Sequence, residues 1–164
     1  MLSRKLHIAL LFVLTLGPVL TVASIAAAGD RHAGYYYPPV SSQENYQARS
    51  PAMDSASRET RIGFIVAQTD GQRQLKYPPR FAIFAKGRDA EKLIIVGLDE
   101  YSFATLYRAR AVLAQLTASA RASALFRNMA VEDLFTFFDL AKMLGFNQIT
   151  VSDGKSYAHR IDLK

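Results

Sequence analysis

The chain has 164 residues, with 20 Lys and Arg against 14 Asp and Glu for a net charge of +6, and it contains no cysteine. The missing thiols exclude disulfides, a lipid-modified cysteine, a thiol nucleophile and any cysteine-ligated metal. The positive balance is too diffuse, with no Lys/Arg cluster, to track a phosphate backbone; nucleic acid is thereby excluded, while weak contact with an anionic surface is not.

Arg4 and Lys5 open the chain, and an apolar run from Leu6 to Ala28 follows, broken by His7 and the Gly17-Pro18 pair. It closes on Ala26-Ala27-Ala28, the small-residue pattern of a signal-peptidase site. Residues 1–28 are therefore expected to be a signal peptide, with a mature chain from about Gly29 that is periplasmic or secreted and keeps no transmembrane segment after cleavage. The remaining 136 of the 164 residues carry a net charge of +4 once Arg4 and Lys5 are gone. That is one ordinary domain, able to bury about two-thirds of its unfolded surface without staples.

Residues 29–60 are polar and poor in Ile, Leu and Val, with their aromatic content in Tyr35-Tyr36-Tyr37 and Tyr46. They read as an extended lead segment with at most a helical turn near Asp54–Glu59, where Asp54 would cap. Residues 61–164 read as a single α+β domain. Ile62–Thr69 is rich in β-branched and aromatic residues and is followed by Asp70-Gly71, which predicts a strand ending in a tight turn. Phe81–Ala85 and Leu93–Leu98 predict two more strands around the polar turn Lys86-Gly87-Arg88-Asp89. Tyr77-Pro78-Pro79 denies two backbone donors just before Phe81 and places that strand at an edge. Both strands are apolar on both faces, so helices should cover one side and the tyrosine segment the other.

Helical spacing follows. Phe103, Leu106, Leu113, Leu116 and Ala120 fall on one stripe, after Asp99 and Glu100 at the positive end of the dipole. A second helix is predicted over Val131–Leu144, with Val131, Leu134, Phe135, Phe138 and Ala141 as its buried face, Glu132 and Asp133 in its first turn and Gly145 as its stop. Gln148–Ser152 and Ser156–Leu163 flank Asp153-Gly154, a hairpin signal. The expected fold is α+β: a small antiparallel sheet in the order β-β-β-α-α-β-β with a helix pair on one face. Tyr-Pro-Pro recurs at 37–39 and 77–79, but the flanking residues do not match, so no repeat is inferred.

Residues with chemistry are few. Ser152, Asp153 and His159 lie close in sequence, yet no Gly-x-Ser-x-Gly elbow is present and the first two read as turn residues. Gly154-Lys155-Ser156 ends like a phosphate loop, but Ile149 stands where its first glycine belongs and a hairpin replaces the helix. The carboxylate pairs Asp99/Glu100 and Glu132/Asp133 serve helix starts. No catalytic residue and no cofactor is called for. His32 is a Cu(II) or Ni(II) ligand only if the mature chain starts at Asp30, where amine, backbone nitrogens and an imidazole at position three make a square-planar set. Tyr35, Tyr36 and Tyr37 read as a sheet cover or a recognition strip. Arg108 and Arg110 read as a solvated helix face or a surface for an acidic partner, such as an envelope protein or anionic surface.

Three stretches carry a likeness: Asp-Arg-His-Ala-Gly-Tyr-Tyr-Tyr-Pro from Asp30, Tyr-Pro-Pro-Arg-Phe-Ala-Ile-Phe-Ala-Lys-Gly over 77–87, and Leu-Tyr-Arg-Ala-Arg-Ala-Val-Leu-Ala-Gln-Leu over 106–116. Together they resemble a group of small exported bacterial proteins of unknown function, over most of the mature chain, some of which bear a label tied to molybdopterin-guanine-dinucleotide synthesis. The resemblance implies an exported single domain and supplies no catalytic residues. The chain lacks the Gly-rich Arg/Lys loop with which the cytoplasmic nucleotidyltransferases of that pathway open. The expected function is accordingly an exported, non-catalytic accessory or binding protein, with a cofactor-handling protein or enzyme of molybdenum cofactor maturation as the alternative.

Overall fold

The computed structural model describes residues 37–99, 103 and 105–164. Five strands form one sheet: β1 (Ser42–Tyr46), β2 (Phe81–Lys86), β3 (Lys92–Gly97), β4 (Gln148–Ser152) and β5 (Ala158–Leu163), in the spatial order β1-β5-β4-β3-β2. Helix α1 (Arg58–Arg73) joins β1 to β2, and α2 (Leu106–Arg121), α3 (Ala124–Met129) and α4 (Phe137–Met143) lie between β3 and β4. The fold is α+β as expected, but the sheet is mixed: β2–β3 and β4–β5 are antiparallel, while β3–β4 and β1–β5 are parallel. The two tight turns produce the two antiparallel pairs. The helical crossover from β3 returns the chain to the start of β3 and makes β4 parallel to it.

The expected strand at 62–69 is instead the middle of α1. Ser57 caps it, accepting from the Thr60 N–H at 3.2 Å. Arg61, Phe64, Ile65, Gln68 and Gln72 turn inward, whereas Gly63, Val66, Ala67, Asp70 and Gly71 face solvent, so the period is helical and Asp70-Gly71 is no turn. Arg61 fixes the start of α1: its guanidinium donates to the Asp89 carbonyl at 3.0 and 2.8 Å and to the Leu144 and Gly145 carbonyls at 3.3 Å. Gly145, at φ +86, ends the α4 segment as anticipated, and a Cβ there would strike the Arg61 guanidinium.

The expected helix over 131–144 is broken. Ala130 closes α3 in the left-handed region, and α4 starts only at Phe137, behind a capping box of Thr136 and Asp139. Glu132 and Asp133 thus lie in the connection, and Leu134 is exposed. Leu106 also leaves the predicted buried stripe of α2, while Leu113, Leu116 and Ala120 keep it, joined by Ala109 and Val112. The lead segment supplies β1, and Asp54 caps nothing that Ser57 does not.

Alternation splits the sheet. Ile83, Leu93, Ile95, Ile149, Val151, Ile161 and Leu163 face the four helices in the main core, which also takes Phe103, Phe126, Phe137 and Phe146. On the other face Ile94 and Ala158 are sealed by Tyr37, with Val40, Phe84 and Val96 around them. That is the two-sided cover that the apolar strands required.

Candidate functional site

On β1 the residues Ser42, Glu44 and Tyr46 alternate onto the helix-covered face, since Ser42 is in register with His159, Glu44 with Ile161 and Tyr46 with Leu163. At this edge of the sheet, α2 and the start of α4 leave a groove of about 560 Å³. Leu113, Ala114, Ala118 and Phe138 form its apolar floor, and Arg49, Arg110 and Arg121 stand around it with Glu44. Helical spacing explains the arginine alignment on α2: Arg110, Ala114, Ala118 and Arg121 recur at three- and four-residue steps.

Each arginine is anchored from one side. Arg110 pairs with Glu44 at 3.7 Å. Arg121 Nε donates to the Phe135 carbonyl at 3.0 Å and its Nη2 to the Asp133 carbonyl at 3.4 Å. Arg49 Nη1 donates to Asp139 Oδ2 at 3.0 Å and to the Tyr46 hydroxyl at 2.7 Å, while its backbone N–H donates to Asp139 Oδ1 at 2.8 Å.

Asp139 is wholly buried behind this wall. Burial opposes its charge, but hydrogen bonds from the Arg49 N–H, the Thr136 N–H and hydroxyl (2.8 and 2.9 Å) and the Tyr46 hydroxyl (3.0 Å) outweigh it and hold the carboxyl below its ordinary value. Burial pushes the Tyr46 phenol up. The Tyr46 ring stacks obliquely on Phe138 with centroids 4.7 Å apart. The result is a rigid corner in which an acid is fully occupied and one arginine is aimed.

At the other end of the same β1 face sits His159, 4% exposed. Its Nδ1 is 2.8 Å from Ser42 Oγ and its Nε2 is 3.2 Å from Glu44 Oε1. Burial raises the neighbouring Tyr157 phenol, with Ser42 and Arg110 opposing the rise and Glu44 adding to it. The set Ser42–His159–Glu44 has the composition of a nucleophile, base and orienter, but His159 and Ser42 do not line the groove. Ser152, by contrast, lies on the opposite sheet face from His159: it is paired with Ala158, donates to the Tyr157 carbonyl at 2.7 Å and accepts from the Gly154 N–H at 2.9 Å.

Of the residues singled out from sequence, Arg110 is on the groove, and Arg108 is exposed on the first turn of α2. Tyr37 is 2% exposed and packs as part of the sheet cover. Tyr35, Tyr36, His32 and the segment 1–28 lie outside the described residues. Among the described residues no three His, Asp or Glu side chains converge to hold a metal, and no helix is long and apolar enough to cross a membrane. Arg121, whose helix position the sequence also placed beside the buried stripe, is on the groove as well, whereas sequence reasoning missed Glu44, Tyr46, Arg49, Thr136 and Asp139. Only Thr136-x-x-Asp139 carried a local signal, the spacing of a capping box. No protein-family model, curated protein or solved structure matches the chain.

Proposed function

We propose that the chain is an exported accessory protein that works by binding and not by catalysis, and that its ligand is a small amphiphilic anion held between β1 and α2. One observation carries this reading: Arg49, Arg110 and Arg121 surround an apolar floor of the size of a small-molecule site, while Asp139 is consumed by its own hydrogen bonds. A carboxylate, sulfonate or phosphate head would meet the guanidinium groups, and a hydrocarbon or ring body would lie on Leu113, Ala114 and Phe138. The one imidazole among the described residues is buried between Ser42 and Glu44, away from the groove lining, and the Glu44 carboxylate that does reach the groove is paired with Arg110. Export rests on the segment 1–28 and its Ala-Ala-Ala end.

The test uses 8-anilinonaphthalene-1-sulfonate, an anion with an apolar ring system, titrated into the full chain and then displaced with dodecanoate. Fluorescence should saturate at one equivalent at this site. Ala114→Trp, which fills the groove from an exposed position, and Arg110→Glu should each weaken binding at least about tenfold. Binding of wild-type strength by Ala114→Trp would overturn the proposal.

A further inference from the structure

The strand register brings a second group of residues together, none of them in the groove. Phe81, which opens β2, pairs with Gly97, which closes β3, and Ser152 at the end of β4 lies beside Val96. The exit of α1, the segment 74–80, Leu98, the first turn of α2 and the β4–β5 turn therefore gather at one end of the sheet. Eight large apolar side chains are exposed among the described residues, and five belong to this end: Leu75 at 63%, Tyr77 at 73%, Leu98 at 57%, Leu106 at 38% and Tyr107 at 84%. Such a concentration marks a contact surface rather than scattered exposure.

Basic side chains outnumber acidic ones around it. Arg73, Lys76, Arg80, Arg108 and Lys155 flank the apolar residues. Of the described acids here, two sit in surface pairs whose arginines stay largely exposed, and the third is bound within its own turn. Asp70 pairs with Arg73 at 3.4 Å and Asp99 with Arg80 at 3.5 Å. Asp153 accepts three backbone N–H groups of its own turn, each at 2.8 Å. Aliphatic and tyrosine side chains interleaved with Lys and Arg are the composition that settles at a lipid headgroup layer.

The entry of the chain points the same way. Tyr37 packs against Ala158, the first residue of β5, beside this end. Only residues 29–36 separate it from the uncharged run 8–28, a tether that spans at most about 26–29 Å when fully extended. A bilayer that holds the apolar run, before or without cleavage, has this end of the domain within reach.

We propose that this end docks on an anionic membrane surface, seating Leu75, Tyr77 and Tyr107 among the headgroups with Arg73, Lys76 and Arg80 on the phosphates. The chain has no tryptophan, so Tyr107→Trp creates a single indole reporter in the full-length protein, and Leu134→Trp, in the connection between α3 and α4, serves as the control. With vesicles of phosphatidylglycerol and phosphatidylcholine the Tyr107→Trp emission should shift to the blue, and neither pure phosphatidylcholine vesicles nor the Leu134→Trp control should give that shift. Adding Leu75→Ser with Tyr77→Ser, or Arg73→Glu with Lys76→Glu, to the reporter should lower vesicle affinity at least about fivefold, and salt should lower it for the wild type. Equal shifts for both reporters, or unchanged affinity in the double variants, would overturn the proposal by assigning the contact to the N-terminal segment. A wild-type dimer that the Leu75→Ser/Tyr77→Ser pair converts to monomer without vesicles would overturn it as well, making the end a self-association surface.

Discussion

Asp139 keeps its charge in the interior because five hydrogen bonds from Arg49, Tyr46 and Thr136 meet it, and that dependence contributes to the acid stability of the protein. Its carboxyl is held below the ordinary 3.8 by hydrogen bonds that burial only partly offsets. Asp153 is lowered to about 2, where burial is outweighed by the N–H groups of Tyr157, Lys155 and Ser156 and by the Ser156 hydroxyl. For a carboxylate lowered on folding, the unfolded state binds the proton first. The stabilisation is therefore complete above the unfolded value and is lost as pH falls through the folded one. Urea unfolding should show constant stability from about pH 7 to 5 and a steep decline between about pH 4 and 2. Asp139→Asn should cost about 2–4 kcal/mol at pH 7, because it removes the charge that Arg49 faces, and should make the acid slope shallower. An unchanged slope would show that the corner does not govern acid unfolding.

The elements divide by how locally they are specified. β2, β3 and the β4–β5 hairpin are legible because Pro78-Pro79, Gly87 and Asp153-Gly154 punctuate short apolar runs, although Asp70-Gly71 inside α1 shows that such a signal can be overridden. α1 is not, since Ile62, Ile65, Val66 and Thr69 favour a strand by composition; only the inward set Arg61, Phe64, Ile65 and Gln68, with the Ser57 cap, reveals the helix. The break between α3 and α4 was hidden for a related reason, as the apolar spacing continues across residues that the backbone bends apart. Ala130 holds that bend at φ 53 and ψ 41 without being glycine. Ala130→Gly should therefore stabilise the protein by about 0.5–1 kcal/mol, an exposed change that removes left-handed strain. Thermal unfolding of the variant checks this, and a lower midpoint would mean that the bend is not strained.

At the scale of the molecule, the groove was illegible because its walls come from residues 44–49, 110–121 and 136–138, brought together only by the parallel pairing of β1 with β5. No local pattern in a five-residue polar strand announces such a partner. The cover on the opposite face was legible in kind, since strands apolar on both sides demand one, and Tyr37 supplies it. Tyr37→Ser should lower stability by about 2–4 kcal/mol while leaving anion binding in the groove at wild-type strength, because the two lie on opposite faces of the sheet. Loss of binding with unchanged stability would return Tyr37 to the role of a recognition residue.

The order β1-β5-β4-β3-β2 also has a temporal meaning. The last hairpin to be made is the central wedge, separating the first strand from the β2–β3 pair. Until residues 148–163 arrive, β1 has no neighbour and β3 has only one. The sheet therefore cannot close progressively from β1 onward, and its completion waits for residues 148–163. A chain wired in this way stays open along its first strands and becomes compact in one late step, when the β4–β5 hairpin is inserted.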